Sequence, residues 1–420
     1  MSGMIDQRKP SPVEGIRLAE AAQPTFGEHI TAWIRRVRAG DLGSVPIIVG
    51  LILIALIFGT LEPVFFRDRN FVNLLLQMAG ITAIAIGIVF VLLIAEIDLS
   101  VAFVSGVGGV IMTLLLRETG PAWPWPLAVG AALLATTAIG LLHGVIITKA
   151  GVPSFVVTLA GLLAWSGVVL ILTTELSNAG TIVIQEPVVL GIANSYLPQV
   201  WGWGLFVVVV GGFVLLRLGR RRSLHQQQLA LTPVSILILQ IVGLAIVTGV
   251  AVWYANRDRG VPVVAVIILL LLVFWSFVAT RTRFGRYVYA VGGNPEAARR
   301  AGINVDQIRI VVFMISGFMA GVGGIILASR LRSVDTNTGG GNLLLNAIAA
   351  AVIGGTSLFG GSGRVISALL GALIIASVEN GMGLLGLPSG VKFVVTGGVL
   401  LAAVLVDAFS RRNRATSGIA

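Results

Sequence analysis

Polar side chains interrupt otherwise apolar runs of the chain at three points. They are Asp98 in Ala95-Glu96-Ile97-Asp98-Leu99-Ser100, Asn346 early in another run, and Glu379 with Asn380 in Glu379-Asn380-Gly381. Such groups are costly to place away from water, and where the runs cross a bilayer they mark by default a path for solute or ion. The competing reading is structural. Asp98 directly precedes Leu99-Ser100 and can cap a helix that starts there, and both readings stay open for Asp98 and Glu379. The stretch Gly354-Gly355-Thr356-Ser357-Leu358-Phe359-Gly360-Gly361-Ser362-Gly363 is a further break, able to take unusual backbone angles. Irregular backbone at membrane depth persists only where protein buries it or a water-filled path borders it.

A second constellation lies in the polar stretch Arg281 to Arg309. Asn294-Pro295-Glu296-Ala297-Ala298-Arg299-Arg300-Ala301-Gly302 predicts a short helix with both ends specified. Asn294 is the N-cap, Pro295 takes the first helical position, and Gly302 closes the far end in a left-handed conformation. Glu296 near the start and Arg299 with Arg300 near the end complement the helix dipole. The helix has only seven residues, and isolated helices below about 12 residues are marginal in water, so it must rest on something. Spacing alone allows two supports. One is the lipid headgroups, which would suit the two arginines; the other is a groove on a partner that takes the small face of Ala297, Ala298 and Ala301.

Other chemistries are excluded. There is no cysteine, hence no disulfide, thiol nucleophile or thiolate metal site. The only lysines, Lys9, Lys149 and Lys392, form no phosphate-binding loop, so the chain does not hydrolyse ATP by that route. The histidines, His29, His143 and His225, make no zinc-protease pair, and His143 reads as a core residue. Gly360-Gly361-Ser362-Gly363 is a broken esterase elbow. No enzyme, metal or cofactor is indicated.

The elements that must position these residues follow from composition. With 56% hydrophobic and 11% charged residues among 420, the chain is an integral membrane protein. Apolar stretches long enough to cross a bilayer occupy 45–61, 72–95, 97–116, 127–148, 153–173, 201–217, 233–253, 262–279, 309–329, 343–359, 365–385 and 388–407. The fold class is therefore all-α: a polytopic transmembrane helical bundle of about 12 spans. The least secure divisions are 72–116 and 343–385, where one break could be a re-entrant turn. The net charge of +11 is a topology signal and calls for no nucleic acid. With alternating spans and both termini cytoplasmic, 21 of the 29 basic residues fall on the cytoplasmic side. The chain then divides into a cytoplasmic tail (1–43), a membrane domain (44–410) with a cytoplasmic loop at 281–309, and a cytoplasmic tail (411–420). Ile30 to Arg38 could form an amphipathic surface helix. Gly108, Gly109, Gly317, Gly321 and Gly324 recur at helical spacings that suit close packing.

Taken together, these motifs resemble the permease subunits of bacterial ABC importers for monosaccharides. The resemblance rests on Ile97-Asp98-Leu99-Ser100, Arg283-Phe284-Gly285-Arg286-Tyr287, and Gly292-Gly293 through Gly302-Ile303. It continues in Gly354-Gly355-Thr356-Ser357-Leu358, Gly360-Gly361, Glu379-Asn380-Gly381 and Val404-Leu405-Val406-Asp407, all in order from about Gly43 to Asp407. An added pair of spans, 201–217 and 233–253, joined by the basic loop Arg217 to Leu231, is similar to the layout of xylose-type permeases. The resemblance implies a homodimer in the bacterial inner membrane around a central path. It makes the helix at 294–302 the coupling helix for a separate ATP-binding subunit, and implies a periplasmic or lipid-anchored sugar-binding protein on the other face. It implies import of a monosaccharide, a pentose such as xylose from the insertion, with selectivity mainly in the binding protein. Asp98, Asn346, Glu379 and Asn380 are candidates for the translocation path. The rival class is an ion-coupled secondary transporter with Asp98 and Glu379 at its ion site.

Overall fold

Lipid tails are as apolar as leucine, so helices in a bilayer gain little by hiding apolar side chains from one another. Close backbone approach through small residues holds them together instead. The computed structural model describes residues 45–175, 180–227 and 233–416, with Gly27 and Thr31 besides. The expected surface helix at 30–38, most of the N-terminal tail, and residues 417–420 lie outside the described residues.

In chain order the helices are α1 (Val45–Leu61), α2 (Asp68–Leu93), α3 (Val101–Leu116), α4 (Trp125–Lys149), α5 (Ser154–Glu175) and α6 (Pro187–Asn194). There follow α7 (Gln199–Gln226), α8 (Val234–Arg257), α9 (Val263–Arg281), α10 (Arg283–Gly293) and α11 (Pro295–Arg300). The last four are α12 (Val305–Leu331), α13 (Leu343–Ile353), α14 (Ile366–Leu384) and α15 (Ser389–Thr416).

Helix α12 is the axis. It runs antiparallel to α4, where an added Cβ on Gly140 would strike the Phe313 carbonyl and one on Gly317 the Thr136 carbonyl. On its other sides Gly324 abuts the Ser105 carbonyl of α3, and Gly87 of α2 abuts the backbone of Ser316. Gly108 and Gly109 of α3 meet Gly321 and Gly324, so the spacings seen in the sequence are contacts between helices. Phe90 and Phe313 are fully buried in this core.

Each of the twelve apolar stretches carries a helix, but the helices differ in length. Among the described residues eight helices are long and apolar enough to cross a membrane. The shorter apolar ones are Pro46–Leu61, Val101–Leu116, Leu343–Ile353 and Ser389–Ala402. At 1.5 Å per residue, the 11 residues of α13 cover about 16 Å, roughly half a bilayer. Both insecure divisions thus contain a short helix beside a break, at 94–100 and at 354–365. The bundle is helical, as the composition predicts, with one small ribbon besides: Thr181–Val183 (β1) pairs antiparallel with Ser333–Asp335 (β2), with Ile182 opposite Val334. Ile182 and Val334 are both buried, and their alternation with exposed neighbours suits a two-stranded ribbon better than a helix.

Two ends of the bundle can be distinguished. At one, the last turn of α2 meets α10, and Ile97 meets the start of α5 through Ser154. This is the end that carries α11. At the other, Asn70 near the start of α2 meets Asn380 of α14, and α6 bonds to Ser329 near the end of α12. This is the ribbon end.

Candidate functional site

Helix α11 has the caps its sequence specifies. Asn294 Oδ1 accepts a hydrogen bond from the Ala297 N–H at 2.9 Å, and Gly302 takes φ +82°. The Ile303 N–H reaches the Ala298 carbonyl at 3.0 Å and closes the last turn. Arg299 pairs with Glu296 at 2.7 Å on the exposed side. One expectation needs correction. Ala298 is 4% exposed and packs into the chain's own core with Val305 and Ile308, so the small face is not free as a unit. The helix spends Ala298 on its own anchorage. Its exposed surface consists of Pro295, Glu296, Ala297, Arg299, Arg300 and Ala301.

The two membrane breaks converge on the segment just before that helix. A Cβ on Gly292 would collide with the Leu93 carbonyl at the end of α2, and the Gly361 N–H donates to the same carbonyl at 2.9 Å. Gly360 and Gly361, at φ +85° and +68°, lie against Gly292, Gly293 and Ala95. Only glycine allows three backbones to come this close. Ala95 itself adopts φ +59°, a conformation that costs an alanine free energy and that its surroundings must enforce. The Tyr289 hydroxyl donates to the Gly363 carbonyl at 2.9 Å. Burial pushes that hydroxyl above its usual range, against the opposing pull of Arg364, so it remains a donor. Glu96 lies 3.1 Å from Arg309 on α12. The segment that leads into α11 is therefore in direct contact with the end of α2 and with the 354–365 break, and Gly360 links it to Ala95 in the 94–100 break.

Asp98 is walled in close by. Its Oδ1 accepts from the Ser100 N–H at 3.0 Å and the Ser100 hydroxyl at 2.7 Å; its Oδ2 accepts from the Ser316 hydroxyl at 2.7 Å. Trp165 Nε1, which can only donate, gives its hydrogen to His143 Nε2 at 3.1 Å. That leaves His143 Nδ1 to donate to Ser100 Oγ at 3.3 Å. The sequence Trp165 to His143 to Ser100 to Asp98, closed by Ser316, satisfies every member. Of the two readings open for Asp98, the geometry carries the structural one: the carboxylate starts α3 and ties it to α12. His143 is a satisfied core residue, as its apolar surroundings predict.

At the ribbon end the remaining candidates come together. A cleft of about 570 Å³ is lined by Asn346, Glu379 and Asn380, and also by Asn73, Gln77, Arg330, Asn342, Lys392 and Phe393. Asn380 pairs through both amide atoms with Asn70, at 2.8 and 3.0 Å, a buried clamp between α14 and α2. Asn346 donates to Glu379 Oε1 at 2.7 Å, whereas its own Oδ1 is buried without a partner. Asn73, Gln77 and Arg330 escaped the sequence reading. The first two carried a signal, two amides four apart inside an apolar run. Arg330 lies in the last turn of α12, where a basic residue carries no signal of a site.

A helical core with broken helices, joined to an exposed capped helix at one end and open to a polar cleft at the other, is the layout of a polytopic membrane transport protein. Comparison with known proteins sharpens this. The family model described as branched-chain amino acid transport system / permease component matches residues 70–404, and the chain belongs to that family of permeases. The chain is 39% identical over 371 residues to the xylose transport system permease protein XylH of Escherichia coli K12, covering 87% of this chain and 92% of that one. It is 37% identical over 353 residues to XylH of Haemophilus influenzae, covering 83% and 91%. Against the ribose import permease protein RbsC of E. coli K12 it is 33% identical over 360 residues, covering 86% and 92%. No solved structure matches.

Proposed function

We propose that this chain is the membrane-spanning subunit of an ATP-driven importer, and that it carries a monosaccharide, with xylose as the first candidate. The observation that carries the reading is α11, a capped helix with an exposed outer surface whose leading segment packs where the two membrane breaks meet. Such a helix can pass a push from outside the membrane into the bundle. ATP is hydrolysed by a separate subunit docked on the exposed side of α11, and a sugar-binding protein delivers substrate to the ribbon end. Xylose is favoured because the relatives named for it match at 37–39%, against 33% for those named for ribose.

The α11 end is cytoplasmic in this reading, together with both termini, since that orientation places 21 of the 29 basic residues inside. Added to the eight long helices, α1, α3, α15 and the segment formed by α13 with the 354–365 break, which runs from the ribbon end to the α11 end, complete a count of twelve crossings in the bacterial inner membrane. Two copies pair with their ribbon-end clefts toward a common axis, which keeps Arg330, Glu379 and Lys392 from lipid. Alternating access follows when closure of the ATPase displaces α11, and with it the ends of α2 and α14. An ion-coupled mechanism gains no support from Asp98, whose oxygens are already filled by protein donors.

The test is uptake in proteoliposomes. The chain with its ATPase and binding protein should import D-xylose only when ATP is supplied. Uptake by the chain alone, driven by a sodium or proton gradient, would replace this reading with the ion-coupled one.

A further inference from the structure

In the ribbon-end cleft, polar groups are left without protein partners where such groups are expensive. Asn73 and Gln77 lie one turn apart on α2, and among the described residues neither side-chain amide has a hydrogen-bond partner. Gln77 is the tenth residue of a 26-residue helix, so it sits about 14 Å from the helix start, inside the span. Asn346, 4% exposed, leaves Oδ1 unpaired. Glu379 uses Oε1 on Asn346, and Oε2 has no partner among the described residues. An unpaired buried polar group costs free energy, and a structure keeps such a group where something else can satisfy it. Asp98, His143 and Asn380 are satisfied internally, and the other buried unpaired side-chain atoms, on Asn256, Arg309, Thr356 and Thr396, lie outside this lining.

We infer that this cleft is a binding site for a neutral polyol, so that the permease itself recognises the sugar's hydroxyls rather than offering a passive path. This rests on the transport reading above. Planar amides donate to and accept from neighbouring hydroxyls, a carboxylate accepts from them, and every ring hydroxyl both donates and accepts. Arg330 lies within electrostatic range of Glu379, and Lys392 shares the lining, so the one carboxylate does not repel a hydroxylated ligand and the charged competitor named below decides between polyol and anion. Phe393 supplies an apolar wall for the C–H face of a sugar ring. A volume of about 570 Å³ is in the range of small-molecule sites. The identity of the groups also argues for selection: a site built to hydrogen-bond a hydroxyl rejects analogues that lack it far more strongly than an apolar pocket can.

The experiment has two arms. In the first, the complex of chain and ATPase in nanodiscs, without binding protein, is titrated with radiolabelled D-xylose, and D-xylonate serves as a charged competitor. In the second, the full importer in proteoliposomes is assayed for D-xylose uptake, with rates normalised to the amount of chain in the membrane. Glu379→Gln and Gln77→Leu, both close in size to the native residues, should each weaken D-xylose binding and raise the uptake KM about tenfold, the loss of roughly one hydrogen bond to the ligand. ATPase co-purification should be unchanged. If the wild-type importer transports D-xylose and both variants keep its KM and affinity, the site assignment is wrong and the transport reading stands. If D-xylonate binds more tightly than D-xylose, the site takes an anion and the polyol assignment falls. If the wild-type importer moves no sugar under ATP, the transport reading fails and this inference with it.

Discussion

Helices α2 and α8 are equally apolar, yet 89% of the apolar window of α2 is buried within the chain and none of that of α8. The partner of α8, α7, is 6% buried over its window. Hydropathy places both regions in the bilayer and says nothing about which is at the centre. What separates them is complementarity. Gly80 and Gly87 of α2 face Leu327 and Ser316 of α12 at close range, whereas Gly204, Gly211, Gly212 and Gly219 of α7 have open space where a Cβ would stand. A glycine supports helix association only when another backbone is shaped to approach it. The α7–α8 hairpin is held to the core at its ribbon end, through Phe71 against Tyr254 at 5.5 Å and Arg257 with Asp68 at 3.1 Å. Along most of its remaining length its surface is left for lipid.

The largest expected effect comes from the same substitution made in both regions. Gly317→Leu drives a side chain into the Thr136 carbonyl, so the helices must part, at a cost of about 3 kcal/mol or more. Gly211→Leu meets nothing and should change stability by less than about 0.5 kcal/mol. Fluorescence-detected size exclusion should show a collapsed monodisperse peak for the first and a normal one for the second. Equal behaviour would mean that the hairpin is packed after all.

Next in size is a contrast between two carboxylates. Asp98→Ala strips acceptors from Ser100 and Ser316, each buried donor left unpaired costing about 1–3 kcal/mol. Membrane abundance and uptake should fall together. Glu379→Ala should lower uptake while abundance holds, because only the Asn346 amide loses a partner within the chain. Immunoblots beside transport rates separate the two; identical profiles would abolish the distinction between strut and path.

A smaller pair probes α11. Ala298→Glu buries a charge in the chain's own core and should reduce abundance. Arg299→Glu alters only the exposed side and should leave abundance intact while weakening ATPase co-purification about tenfold, as a like-charge contact would. If Arg299→Glu retains full binding and uptake, α11 is not the docking helix. The smallest effect belongs to the hairpin: Leu215→Ala and Val247→Ala, at 72% and 68% exposure, should shift melting temperature by no more than about a degree or two.

Part of the site was legible in the residues. Asn294, Pro295 and Gly302 specify the caps of α11 through local hydrogen bonding and backbone preference, and local rules need no neighbours. Asp98 was visible as costly, but its role was not, because Ser316 lies 218 residues away and His143 reaches it through Ser100. Ala298 has the same helix position and size in either reading; only the packing of α12 beneath it decided that it faces inward. Asn73 and Gln77 needed α13 and α14 alongside them before two stray amides became one wall of a cleft.

The sequence by itself determined that the chain lies in a membrane, where its apolar helices run, and how its short capped helix begins and ends. Each of these depends on transfer free energy or on contacts within a few residues. Only the tertiary structure decided which apolar helices form the core, that the breaks after α2 and α13 meet before α11, and that protein donors enclose Asp98 while Glu379 lines a cleft. Those outcomes depend on which backbone approaches which across hundreds of residues, and equal apolarity in two segments carries no information about that.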